Sequence, residues 1–522
     1  MKQTIDQISK LLLENKNPQA EQLAWELYNQ NKKSFFVLKT LGVTLLVQQK
    51  FAGALSIFLQ AYKIKSDDYD VLVNLAHLFI KFDEFQKTFE FANLAIEIDS
   101  DGYHPYISLA EYYLKIRDFD KAYEIAIDLQ KRVTYERLSS NHQTMYLMLD
   151  IFIASNHEED AWKFINFSHS KKFHPEIFYY QASLDPKSID EKLVFTANQF
   201  IKESKFTNHI QKAKVLSPIY FGLGKSHLKD NQLLSDMNFI QGNEEVLQVQ
   251  RFKPLENQQY IKRIKSSFAS YKPISDHGDG SELIFITGMP RSGTTLLESI
   301  ITSSGEVFSC GELLSLHEIF NRVVDPEVIN TLETEYLGDE ESGNTYLRRV
   351  NYLNSNSNKK FILDKLPGNF NYIGFIKKRF PKAKVLYIHR DPWDNAISLY
   401  QQFYVGNIAY ASSFFNIATM YANHEEIIRY WSEEAKIDFL TIKYEDLVSD
   451  TQNLANTVFN YCNLSFDYDS DKRKEFFSRT ASKSQVRGEV HKKSIKKSAF
   501  EQQNMEFLEY LNNQREYWKN QL

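Results

Sequence analysis

Small residues recur at intervals of 34 along the first third of the chain, at Gly42, Ala76 and Ala110. Phe51, Phe85 and Phe119 keep the same interval, as do Ala54, Thr88 and Ala122, and a further register holds Ala61, Ala95 and Leu129. A period of this length accommodates two helices and their turns. Small side chains at fixed sites let the helices of a hairpin approach closely, and the aromatic plugs the turn between them. Four registers coinciding over three copies argue against chance spacing in a generic bundle. One hairpin cannot bury its apolar face alone, so the copies must stack into an α-helical solenoid. Residues 34–67, 68–101 and 102–135 are the clearest copies, 1–33 a weaker first one, and 138–175, with Ala161 and Trp162, a fifth. From 174 to 276 the pattern degrades, with helical periodicity persisting in 189–205, 213–229 and 233–250 and a connecting helix expected at 257–271. A polar, glycine-containing stretch, 275–282 (SDHGDGSE), then marks a domain boundary.

Bulk properties bound the possibilities. A chain of 522 residues is too long for one ordinary domain. The net charge of −5 gives no overall attraction to nucleic acid or to an anionic membrane, so any anion site must be a local cluster, and no nucleic-acid partner is expected. Two cysteines, Cys310 and Cys462, cannot make a disulfide framework and fit a reducing compartment. The opening MKQTIDQISKLLLENKNPQ reads as an amphipathic helix rather than a signal peptide, and no run approaches the about 18 apolar residues of a membrane span. A cytoplasmic location is expected.

From Leu283 the texture changes. The stretch LIFITGMPRSGTTLLESIITS joins an apolar β-type run to a tight loop, Gly288–Gly293, and then to a helix opening at Thr294. Backbone N–H groups and the positive helix end are aimed at whatever anion sits there. The spacing is that of an ATP-binding P-loop, but Thr294 stands where its lysine should be, so a γ-phosphate is poorly recognised. Further strand-like runs lie at 360–364, 384–389 and 438–443, followed by helical patterns at 369–379, 392–404 and 445–461. Buried strands alternating with helices imply a mainly parallel α/β sheet, with ligands at the carboxyl ends of its strands. Lys365, Arg390 and Tyr444 all fall just there. In Arg390–Ser398, Asp391 is a helix N-cap candidate and Pro392 the first helical residue, so Arg390 and Ser398 can grip a second phosphate.

On these two motifs the second half resembles the sulfotransferases that use 3′-phosphoadenosine 5′-phosphosulfate (PAPS). Pro290–Thr295 is similar to their 5′-phosphosulfate-binding motif, and Arg390–Ser398 to their 3′-phosphate-binding motif. With the repeats, the chain resembles bacterial tetratricopeptide-repeat (TPR) sulfotransferases, whose catalytic half is related to tyrosylprotein sulfotransferases. The resemblance implies a TPR solenoid over 1–173, degenerate helical repeats and a connector over 174–276, and a P-loop-like PAPS-dependent domain over 277–522. It assigns donor binding to Arg291, Ser292, Gly293, Thr294, Thr295, Arg390, Ser398 and Tyr444, with Ser482 and Lys497 as late donor contacts. Lys365, in LDKLP, resembles the lysine that contacts the donor's bridging oxygen. Cys310-Gly-Glu312 matches the start of the tyrosylprotein base motif, but Leu313 stands where a second glutamate follows in that family. Glu312 is therefore the first candidate base and His317 the substitute. The basic segment 487–497 is either a flap over the nucleotide or an ordinary solvated run.

The expected reaction is sulfuryl transfer to an acceptor hydroxyl or amine, with positioning and charge stabilisation supplying most of the catalysis and no metal required. Tyrosine in a protein or peptide, a saccharide and a small molecule all fit as acceptor, and the repeats would dock a partner or substrate. The aromatic stretch 401–421 is a candidate lining of the acceptor cleft. Two rival readings stand beside this one: a P-loop phosphotransferase, and a non-catalytic TPR scaffold with a vestigial sulfotransferase domain.

Overall fold

A computed structural model describes residues 1–14, 16–134, 138, 142–272, 278–324, 344–355, 357–404, 408–465, 468, 471, 473 and 500–521. They divide into two units, residues 1–155 with 314–356, and 156–313 with 357–522. A mostly helical N-terminal region is followed by a parallel-sheet α/β domain.

In the first unit, helix pairs Phe35–Val47 and Phe51–Ile64, Tyr69–Lys81 and Phe85–Ile98, and His104–Lys115 and Phe119–Arg132 form successive hairpins. Lys2–Leu13 and Asn17–Gln30 precede them. The recurring aromatic is the first residue of each second helix. The recurring small residues are at contact: a Cβ on Gly42 would come within 2.9 Å of the Phe58 ring, and Ala54, Ala61, Ala76 and Ala95 are fully buried. Gln49, Asp83 and Arg117, again 34 apart, turn each hairpin with left-handed φ of 60°, 54° and 64°. None is glycine, so tertiary packing holds a conformation that L-residues disfavour.

The segment 314–356 lies between two strands in sequence, yet it belongs to this first unit. Its helices Ser315–Val324 and Asn344–Asn354 are held by the turn of the second hairpin. Asp83 Oδ2 accepts from Leu314 N–H at 3.0 Å and Ser315 Oγ at 3.1 Å. Glu84 Oε1 takes Arg348 at 3.0 Å and the buried Arg349 at 2.9 Å.

The second unit opens with helices Glu158–Lys171, Pro175–Leu184, Glu191–Glu203, His209–His227, Gln232–Leu247 and Pro254–Ser270. Five parallel strands follow: β1 (Leu283–Gly288), β2 (Val307–Gly311), β3 (Phe361–Lys365), β4 (Lys384–His389) and β5 (Leu440–Lys443). Their order is β2-β3-β1-β4-β5. Ile284, Ile286, Leu363, Leu386, Ile388 and Ile442 pack against Leu297, Ile300 and Ile301 of helix Thr294–Thr302 and against Val458 and Phe459 of helix Thr451–Cys462. β2 is the strand that periodicity does not announce. It is five residues long, carries Ser309 and Cys310, and lies at the sheet edge. The helical pattern at 445–461 is two helices, Tyr444–Ser449 and Thr451–Cys462, because Asp450 caps the second by accepting from Asn453 N–H at 3.3 Å.

Candidate active site

The carboxyl ends of β3, β1 and β4 lie side by side and deliver Lys365, the loop after Gly288, and Arg390 to one edge of the sheet. The loop bends through Arg291, at φ 69°, and Gly293, at φ 104°. Gly293 also answers to space: a Cβ there would stand 2.5 Å from the Tyr444 ring. Asn395 Nδ2 donates to Pro290 O at 3.1 Å, and Thr287 Oγ1 to Pro367 O at 2.6 Å, so both ends of the loop are tethered. Helix Thr294–Thr302 starts directly after it, with Thr294 and Thr295 buried in the first turn. Its leading amides are therefore presented to the loop concavity. The buried Ser292 Oγ has no hydrogen-bond partner among the described residues.

The second motif folds as its sequence implies. Asp391 caps helix Pro392–Tyr400, accepting from Trp393 N–H and Asp394 N–H at 3.0 Å each. Arg291 joins the two motifs, since its Nε donates to Ser398 Oγ at 3.1 Å and its carbonyl accepts from Arg390 Nη1 at 3.3 Å. Arg390 is only 6% exposed, and its guanidinium lies over the Tyr444 ring, 4.7 Å from the centroid. Burial, above all, lowers the Arg390 pKa; Arg291 adds to this, while Tyr444, Asp394 and Glu445 oppose it. The Arg291 charge bears on Arg390, and an anion here would relieve that repulsion.

Lys365 sets a different balance. It is 1% exposed, with Nζ 2.5 Å from Glu312 Oε1 and 3.6 Å from Glu298 Oε2. Glu298, also 1% exposed, accepts from Ser309 Oγ at 2.5 Å, and Ser309 Oγ accepts from Gly311 N–H at 3.1 Å. The β2–β3 register shifts between Ser309 and Gly311, leaving Cys310 as the extra residue. Such a bulge re-aims the residues after it. Burial pushes the Lys365 pKa down, but Glu312 and Glu298 together raise it above its ordinary value. Glu298 and Ser309 belong to no recognised motif and lie on separate elements, so no local sequence pattern groups them. Glu298, the one charged residue of helix Thr294–Thr302, is the one available signal.

His317 stands on helix Ser315–Val324 in the first unit, whereas Lys365 and Glu312 belong to the second. Ser482, Lys497 and the segment 487–497 lie outside the described residues. Within 401–421, Tyr410 and Tyr421 are buried, and Phe414 stacks on Tyr400 with centroids 4.3 Å apart, which is core packing. Tyr404 differs: its buried hydroxyl has no hydrogen-bond partner among the described residues and feels Arg291, Tyr179 and Glu312. Tyr179, from helix Pro175–Leu184, is itself held by the neighbouring Gln402 side chain and by Phe403 N–H at 3.2 Å.

Residues 283–468 match the Sulfotransferase family. The match starts at the first residue of β1 and takes in Arg291, Glu312, Lys365, Arg390, Ser398 and Tyr444. An uncharacterized protein of Aquifex aeolicus (strain VF5) is 28% identical over 291 residues, which are 52% of this chain and 36% of that protein. The chain thus spans about a third of that curated relative's length. Among solved structures, sulfotransferase STF9 from Mycobacterium avium is 13% identical, with 55% of this chain and 86% of that one covered at a TM-score of 0.23. Sulfotransferase STF1 from Mycobacterium tuberculosis H37Rv is also 13% identical, at 55% and 91% coverage and a TM-score of 0.23. Both scores are too low to add to the fold described above. No helix among the described residues is long and apolar enough to cross a membrane.

Proposed function

We propose that the α/β half, residues 277–522, is a PAPS-dependent sulfotransferase and that the repeats, residues 1–173, dock a partner or the acceptor. One observation carries the reading: two anion-binding motifs 107 residues apart are joined by the Arg291–Ser398 hydrogen bond. A ligand with anionic groups at both ends suits that corner better than a triphosphate, whose P-loop lysine this chain replaces with Thr294. The Ser292 hydroxyl, unpartnered among the described residues, and the first-turn amides of Thr294 and Thr295 suit the 5′ end, and Arg390 and Ser398 the 3′-phosphate. Tyr444 supports Arg390 through its ring face.

The donor supplies a transferable sulfuryl group. Glu312 takes the acceptor's hydroxyl proton while the acceptor oxygen forms its bond to sulfur and the bond from sulfur to the bridging oxygen breaks. The electron pair stays on that phosphate oxygen, and the Lys365 ammonium neutralises it. The acceptor is a hydroxyl compound: tyrosine in a protein or peptide, a saccharide or a small molecule. A cytoplasmic location accords with two reduced, buried cysteines.

Isothermal titration tests the reading. The full chain is expected to bind 3′-phosphoadenosine 5′-phosphate at micromolar concentration and to ignore ATP with magnesium. The reverse preference would establish a phosphotransferase, and binding of neither would leave a scaffold.

A further inference from the structure

The Lys365 cluster holds more negative charge than one ammonium needs. Glu312 is partly open to solvent, its side chain 41% exposed, while Glu298 is buried and anchored by Ser309. Among the described residues the charged groups facing Lys365 are these two, Glu298 from helix Thr294–Thr302 and Glu312 from the turn after β2. A buried ammonium requires a counter-charge, and losing its only partner is costly. An arriving leaving-group oxygen must compete with a carboxylate for Nζ. The loosely held competitor is Glu312, and the fixed one is Glu298.

We propose that Glu298 is a positioning residue for Lys365: it keeps the ammonium charged and in place while Lys365 exchanges Glu312 for the donor's leaving oxygen, which frees Glu312 to accept the acceptor's proton. The inference rests on the sulfotransferase reading. It explains why a base candidate is tied up before donor binds. Lys365 Nζ holds Glu312 Oε1 at 2.5 Å until an anion takes its place. It also gives a purpose to Ser309 and to the bulge at Cys310, which together aim a hydroxyl at Glu298 and a carboxylate at Lys365.

The test measures PAPS binding to the full chain by isothermal titration at pH 7 and pH 9.5. In the wild-type chain two carboxylates keep Lys365 charged across this range, so the affinity ratio stays within about twofold. Glu298→Gln removes one of them, the Lys365 pKa falls, and affinity is expected to drop about tenfold more than wild type between the two pH values. Glu298→Asp keeps the charge and is expected to restore the flat profile, which a purely steric role would not do. A Glu298→Gln profile that tracks wild type overturns the proposal. A wild-type chain that binds no PAPS at either pH overturns the sulfotransferase reading instead. Should Glu298→Gln not fold, Ser309→Ala carries the test. Loss of the anchor is expected to lower affinity about threefold at pH 9.5 relative to pH 7, and equal affinities overturn the proposal.

Discussion

Two corners of one sheet edge handle charge in opposite ways. At the ends of β1 and β4, Arg291 donates to Ser398 and accepts from Arg390 through its carbonyl, and Arg390 feels the Arg291 charge as well as Asp394 and Glu445. At the ends of β2 and β3, one ammonium faces two carboxylates. In the first corner two cations bear on each other, an arrangement suited to an anion. The second is over-neutralised and must release a partner before it can serve one. The contrast teaches where affinity and where rate should reside. The arginine corner should govern binding, and the lysine corner should govern turnover.

Mutation of the lysine corner should give the largest effect. Lys365→Met is expected to lower turnover on the order of a thousandfold, with affinity for 3′-phosphoadenosine 5′-phosphate reduced far less. Single-turnover assays beside titration would show this, and equal losses in both would erase the contrast. Arg390→Ala comes next, with donor affinity lowered about a hundredfold, the value of a charge-assisted contact in a buried site. Unchanged donor affinity would remove Arg390 from the 3′-phosphate site. Arg390→Lys should recover only part of it, since an ammonium lacks the planar fork.

A third ionic site sharpens the comparison because its purpose is structural. In the first unit one carboxylate, Glu84, serves Arg348 and Arg349. Glu84→Ala should destabilise that unit by about 3 kcal/mol, read in thermal or denaturant unfolding, because the buried Arg349 guanidinium loses its ion pair with Glu84. Burial raises the Glu84 pKa, but Arg349, Lys87 and Arg348 outweigh it and lower the value. The stability Glu84 contributes is therefore complete above the ordinary glutamate pKa of 4.5 and is lost as pH falls through the lowered folded value. Unfolding curves of wild type and Glu84→Ala should converge in acid and separate at neutral pH. The smallest effect is expected at Ser398→Ala. Loss of its hydroxyl should weaken donor binding about fivefold, worth roughly 1 kcal/mol.

Much of this was legible without coordinates. The 34-residue register located three successive helical hairpins, whose second helices begin at Phe51, Phe85 and Phe119. The apolar runs located β1, β3, β4 and β5, and the Asp391-Pro392 pair located a helix start. These features are written in local chemistry: hydrophobic period, caps and turn residues act within a few positions of themselves. β2 was not legible, because five edge residues carry too little apolar signal. The left-handed turn residues Gln49, Asp83 and Arg117 were missed for a related reason, since none is the glycine that usually marks such a turn.

By itself, then, the sequence determined a helical array, a β-loop-helix anion cradle and a second anion motif after another strand. Only the tertiary structure decided what meets what. Parallel strand order set β1 between β3 and β4, and so brought Arg291 to Ser398 across 107 residues. The same folding assigned 314–356, with His317, to the repeat-bearing unit. It also brought Ser309 to Glu298 and Glu298 to Lys365. Such contacts join residues with no shared period or motif. They exist because a sheet of fixed order and a buried ammonium each admit few neighbours, and that constraint is set by three-dimensional packing and desolvation rather than by position along the chain.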